Sequence, residues 1–272
     1  MVNLDRIIIT GAEGLIGREL DFGIKLSHGE LDITDRESIR KVFDKYSPEA
    51  VLNLASINLR TSQNSPFLAN KVNVIGTYNL AIETRKRAIP IVILSTGAVF
   101  NGNQEEEFYE NDTPNPQNVY GQTKYLSEII AKQINPKSII VRTGWLFGFR
   151  NGTNFLNKML DSAKRGDEIT ATYDQFGSFT YINDFVLKLK EIISSENAGI
   201  YHITNAGRAT ALDMANELIF RFNSKSNIKQ ISIDESAKEG IRRSKSEVLV
   251  SKSVKLRSWK DALKECLDTL QD

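Results

Sequence analysis

Short runs of wholly apolar residues recur along the first half of the chain, separated by stretches with helical spacing. Ile7-Ile8-Ile9, Val51-Leu52 and Leu54-Ala55 around Asn53, Ile91-Val92-Ile93-Leu94, and Ile139-Ile140-Val141 lack the alternation of a half-exposed strand. Such β-branched runs fit strands buried on both faces, as in a parallel sheet. Between them, Ile39, Val42, Phe43 and Tyr46 repeat with a helical period, and Val72, Ile75, Leu80 and Ile82 do so within a long helix expected over 66–88. A short helix over about 15–20 and a strand at Ile24-Lys25-Leu26 complete the early units. Strands and helices in alternation predict an α/β protein with a doubly wound parallel sheet.

Past Trp145 the pattern loosens. Helices are expected over 154–163, 211–222 and 259–270, an element over 179–193, and a strand over Gly199-Ile200-Tyr201-His202-Ile203-Thr204. The expected division places 1–145 plus about 178–195 in the main domain, and 146–177 plus 196–272 in a smaller C-terminal lobe.

Composition narrows the chemistry. With 40% hydrophobic and 25% charged residues and a net charge of +1, nothing pulls the chain as a whole toward nucleic acid or an acidic membrane. No apolar run approaches the roughly 20 residues needed to cross a bilayer. The start, Met1 to Arg6, leads straight into a strand without a signal peptide, so the expected compartment is the cytosol. Cys266 is the only cysteine, expected as a small core residue, and His28 and His202 are the only histidines, which argues against a metal site or a Ser-His-Asp triad. The basic stretch 238–260 reads as solvated surface or as a seat for a diphosphate.

Two motifs carry the chemistry. Gly11, Gly14 and Gly17 follow the first strand, with Leu15 and Ile16 opening the helix. This is the Rossmann arrangement, in which backbone N–H groups and a helix N-terminus receive a pyrophosphate. The second strand ends Lys25-Leu26-Ser27-His28 without a carboxylate to bond an adenosine ribose or repel a 2′-phosphate. Asp32 and Ile33 are expected beside the adenine, which favours NADP and keeps NAD as the second choice. Ligands collect at the C-terminal ends of such strands, where Leu54, Ala55 and Ser56 lie.

The second motif is Tyr120-Gly121-Gln122-Thr123-Lys124. A lysine one helical turn from a tyrosine lies on the same face, where it stabilises phenolate and can bond the nicotinamide ribose. Ser95 or Thr96, ending a central strand, would offer a hydroxyl to the same substrate oxygen. The expected catalytic set is Tyr120 and Lys124 with either Ser95 or Thr96, and Tyr120 and Lys124 are also expected to touch the cofactor.

With these motifs, Leu31-Asp32-Ile33-Thr34-Asp35, Ser95-Thr96-Gly97-Ala98-Val99-Phe100-Asn101-Gly102, Arg142-Thr143-Gly144-Trp145 and Asp174-Gln175-Phe176-Gly177 resemble the extended short-chain dehydrogenase/reductase superfamily. Within it the chain is most similar to dTDP-4-dehydrorhamnose reductases. The resemblance implies hydride transfer from NAD(P)H to C4 of a nucleotide-linked 4-keto-6-deoxy sugar. The family's usual Asp-Tyr after Ser-Thr is here Gly97-Ala98, and Arg60 stands after the third strand, so an altered sugar pocket is expected. Asn58, Arg60, Ala98, Trp145, Asn154, Gln175 and Arg243 are its candidate residues. Two alternatives stay open: a nucleotide-sugar 4-epimerase, and a cofactor-binding regulatory subunit like that of methionine adenosyltransferase. The resemblance also implies a homodimer.

Overall fold

The computed structural model describes residues 2–103, 105–148, 155–237 and 240–269. Its main sheet has strands β1 (Ile7–Thr10), β2 (Ile24–Lys25), β3 (Ala50–Asn53), β4 (Ile91–Thr96), β5 (Ser138–Thr143) and β6 (Gly199–His202). They run in the order β6-β5-β4-β3-β1-β2, every pair parallel. Successive side chains of a strand leave on opposite faces, so each apolar run feeds two cores. Ile7, Ile9, Leu52, Val92 and Val141 enter one; Ile8, Val51, Ile91, Ile93 and Ile140 enter the other.

The second core is covered by helices α1 to α6 only in part. Of α1 (Leu15–Glu19), α2 (Arg36–Tyr46), α3 (Leu59–Asn64), α4 (Pro66–Ala69), α5 (Thr77–Lys86) and α6 (Val119–Ile134), it is α2, α5 and α6 that close it, through Ile39, Phe43, Leu80 and Ala131. α2 starts before the first apolar repeat because Asp35 caps it, accepting from Glu37 N at 2.9 Å. The helix expected over 66–88 is not regular. Between α4 and α5, Asn70–Gly76 is wound as a π-helix, an irregularity that periodicity does not encode. There the Asn73 side chain accepts from Ile57 N at 2.8 Å and donates to Thr123 Oγ1 at 2.9 Å, tying the loop after β3 to α6.

Gly199–His202, expected in the smaller lobe, is instead the edge strand of the main sheet, paired with β5 from Ile139 to Arg142. Its residues are only partly buried up to His202, and an edge position accounts for the weak apolar signal. The rest of the second half is built from short pairings: Trp145–Phe147 with Phe179–Tyr181, Ile169–Thr172 with Ile228–Ile231, and Val248–Leu249 with Glu107–Phe108, all parallel. Helices α7 (Phe155–Arg165), α8 (Ile182–Ser195) and α9 (Ala211–Phe222) flank them. Phe147, Phe179, Leu218, Trp259 and Cys266 join the core on the α8 side of the sheet. The lobe therefore shares one apolar interior with the sheet, which fixes its position over the strand ends.

Candidate active site

Gly11 turns the chain out of β1 at φ +63°, and a Cβ there would sit 2.6 Å from Ala55 N. Only glycine permits this approach of the two loops. Thr10 holds them together, its hydroxyl donating to Asn53 Oδ1 at 2.7 Å and accepting from Ala55 N at 3.3 Å. Gly17 lies against the Ala12 backbone, where a Cβ would meet the carbonyl at 2.5 Å, so α1 packs tightly on the loop. A Cβ on Gly14 would meet only the Gly11 carbonyl, at 3.2 Å, leaving the outer side of the turn open. No side chain caps the first turn of α1, where Leu15 is exposed and Ile16 half-buried. The cradle fits a dinucleotide pyrophosphate, with the Leu54 and Ala55 backbone against Gly11.

Asp32 is engaged locally, accepting from Thr34 N and Oγ1, both at 2.8 Å. Burial opposes its charge, but those two bonds, with His28 and Lys71 nearby, hold the carboxyl below the usual range. Ile33 packs inward, beneath Gly76, where a Cβ would come within 2.4 Å of its Cδ1. That puts the Ile33 side chain in the core, not beside an adenine, and leaves Asp32 half-buried as the more accessible of the pair.

α6 presents the second motif. Asn118 caps it, accepting from Gly121 N at 2.9 Å while its amide donates to the Arg242 carbonyl at 3.0 Å. Gly121 lets the helix abut the loop after β4, since a Cβ there would lie 2.2 Å from the Ala98 carbonyl. Strand alternation sends the Ser95 and Thr96 side chains to opposite faces of the sheet. Ser95 is buried and bonds Glu128, whereas Thr96 faces the lobe cavity beside Tyr120.

Electrostatics depart from expectation at Tyr120. In place of a lowered phenol, burial and the nearby Glu247 carboxyl push it up to about 12, with the Thr96 hydrogen bond opposing. Desolvation penalises the charged form, so these surroundings hold Tyr120 as an acid. Lys124, 5% exposed, is pulled down to about 8 by burial, with Glu128 acting the other way.

A cavity of about 450 Å³ opens at Thr96 and Tyr120 and extends beneath the lobe. Of the expected substrate residues, Ala98, Trp145, Gln175 and Arg243 line it. Asn58 and Arg60 line a neighbouring cavity of about 250 Å³ that shares Leu59, Ser236 and Arg243 with the first. Asn58 also caps α3, accepting from Thr61 N at 3.0 Å. Asn154 lies outside the described residues. Sequence reasoning missed Glu247, which lines the same cavity, bonds the Trp145 indole and faces Arg243. Its one signal was its place, an acid in a basic stretch. No group of described residues is arranged to hold a metal ion, and no helix among them is long and apolar enough to cross a membrane.

Comparison with known proteins agrees with this layout. A family model described as RmlD substrate binding domain matches residues 5–272. A dTDP-4-keto-6-deoxy-D-glucose reductase of Streptomyces niveus is 34% identical over 78% of this chain and 76% of its own. The spore coat polysaccharide biosynthesis protein SpsK of Bacillus subtilis is 28% identical over 97% of both chains. Among solved structures, dTDP-4-dehydrorhamnose reductase from Bacillus anthracis, in complex with NADP, is 29% identical and superposes with a TM-score of 0.91, covering 98% of this chain and all of its own.

Proposed function

Because the chain belongs to the RmlD substrate-binding domain family, we propose that it is an NADPH-dependent reductase of a nucleotide-linked 4-keto-6-deoxy sugar. The observation that carries this reading is that Thr96 and Tyr120 line the same end of the lobe cavity, with Trp145 and Arg243 along its walls. Bound NADPH would supply the hydride. Thr96 and Tyr120 would both bond the carbonyl oxygen, and Tyr120 would deliver its proton as negative charge develops there. Lys124, on the same face of α6, would orient the ribose of the cofactor and stabilise the phenolate left behind. The Gly11–Gly17 turn and the Ala55 loop would hold the pyrophosphate, and the absence of a carboxylate directly after β2 favours NADP over NAD.

Trp145 offers an apolar wall to the sugar, and Arg243, exposed between the two cavities, is placed for a diphosphate. The reading extends to a homodimer in the cytosol. Phe67 (82% exposed), Ile75 and Tyr78 on the 66–86 helical stretch, with Leu126 on α6, form apolar surface suited to a second copy.

The test is to follow NADPH consumption with dTDP-4-keto-6-deoxyglucose, and to titrate dTDP, UDP, GDP and CDP into the NADPH-bound protein. Turnover with selective binding of one nucleotide supports the reading. Tight NADPH binding with no response to any nucleotide or keto sugar would sink it in favour of a regulatory subunit.

A further inference from the structure

Among the described residues, Glu247 is the one carboxyl lining the cavity that holds Thr96 and Tyr120. Its backbone is fixed from several sides. Glu247 N donates to the Phe176 carbonyl at 2.9 Å, Phe176 N donates to Lys245 O at 2.8 Å, and Ser246 and Gly102 exchange bonds of 3.1 and 3.2 Å. The strap then continues into Val248–Leu249, paired with Glu107–Phe108. It passes so close to the end of β4 that a Cβ on Gly97 would lie 2.8 Å from the Glu247 carbonyl oxygen and 3.3 Å from its Cβ. The missing side chain at 97 and the carboxyl at 247 thus belong to one arrangement. The side chain is held by the Trp145 indole and flanked by the Arg243 charge.

We propose that Glu247 is a specificity-determining residue, its carboxyl bonding the hydroxyl on the sugar carbon next to the carbonyl, so that the pocket selects a 3-hydroxy-4-keto sugar over its 3-deoxy counterpart. The inference rests on the reductase reading. Tyr120 marks the position of the reacting oxygen, and Glu247 acts on Tyr120 electrostatically across the same cavity. Glu247 lines the same cavity as Thr96 and Tyr120, so a sugar with its carbonyl at Tyr120 would turn a neighbouring substituent toward this wall. In a 4-keto-6-deoxy sugar the hydroxyl-bearing neighbour is C3, since C5 carries the ring oxygen and the methyl. A carboxylate has about four acceptor sites, and one indole N–H occupies one of them. Burial pushes the acid up to about 7, with Arg243 and the Trp145 bond opposing. Near neutrality it can therefore accept from a hydroxyl or donate to one, as a hydroxyl itself can. An ammonium group there would meet the like charge of Arg243.

The experiment compares kcat/KM for dTDP-4-keto-6-deoxyglucose and its 3-deoxy analogue in the wild type, Glu247→Gln and Glu247→Ala, with NADPH affinity measured in each. A hydrogen bond to a charged group predicts that the wild type prefers the hydroxylated sugar by about 10- to 100-fold. Glu247→Ala should bring the two sugars within roughly twofold while NADPH affinity holds, with Glu247→Gln between. Should the alanine variant fail to fold, Glu247→Gln, which can still accept from the indole, carries the comparison. An unchanged preference in a variant that binds NADPH normally, or no preference in the wild type, overturns the role of Glu247 alone. No reduction of either sugar by the wild type overturns the reductase reading and this inference with it.

Discussion

Arg142 and Glu128 form a fully buried two-point ion pair between β5 and α6. Arg142 Nε reaches Glu128 Oε1 at 3.0 Å, and Nη2 reaches Oε2 at 2.6 Å. Ser95 donates to the same carboxylate, His202 lies 3.3 Å from Arg142 Nη1, and the guanidinium stacks 5.0 Å from the Phe100 ring. The pair joins α6 to β5 and, one turn from Lys124, sets the depth at which the helix sits.

Removing one partner leaves a buried charge with no counter-ion. Arg142→Met or Glu128→Leu should each destabilise by about 3–5 kcal/mol, and the double substitution by less than the sum of the two. Urea denaturation of the three variants checks this. Additive losses would show that the two residues do not act as a pair.

Tyr120→Phe removes the proton donor and little else, since the phenol bonds only Thr96 among the groups that shift it. We expect kcat to fall by about 10²- to 10⁴-fold, with the affinity for NADPH within a few-fold of wild type. Single-turnover kinetics and calorimetry separate the two effects. A variant retaining more than a tenth of kcat would place the acid elsewhere.

Lys124 makes stability depend on pH in a direction unusual for a lysine. Its folded-state value is pulled down to about 8 by burial, Glu128 opposing, while the unfolded chain keeps the proton to about 10.4. Between those values the unfolded state binds more protons, so this group's contribution to stability rises with pH. Below about 8 the buried charge is a standing cost. Lys124→Met should therefore stabilise the cofactor-free protein at pH 7 by about 2–3 kcal/mol, and the advantage should shrink toward pH 10. Denaturation curves at the two pH values test it. A difference that grows toward pH 10 would contradict the burial argument.

Gly11→Ala would put a methyl group 2.6 Å from Ala55 N at a positive φ. The loops must part, at a cost of about 1–3 kcal/mol for the strained backbone alone, and the pyrophosphate seat opens with them. Weakened NADPH binding by titration, with the sheet intact by circular dichroism, is the expected outcome. Wild-type affinity would show that this turn does not carry the cofactor.

What the sequence determined by itself was everything written in local spacing. Unbroken apolar runs identified β1, β3, β4 and β5 because a strand buried on both faces has no polar positions to alternate. Gly11, Gly14 and Gly17 marked the turn because backbone approach excludes a Cβ. Tyr120 and Lys124 announced a shared face because four residues nearly complete a helical turn. Tertiary structure decided what depends on distant segments meeting. Only pairing with β5 made Gly199–His202 an edge strand of the sheet, and the π-wound stretch in the 66–86 helix is accompanied by contacts of Asn73 with the distant Ile57, Thr123 and Ser127. The face of β4 turned toward α6 separated Ser95, bonded to Glu128, from Thr96, which lines the cavity beside Tyr120. Glu247 carried no local signal beyond being an acid in a basic stretch: its carboxyl lines the cavity because Phe176, Gly102 and Gly97 hold its strap in place, and the surroundings that define it exist only once those segments have come together.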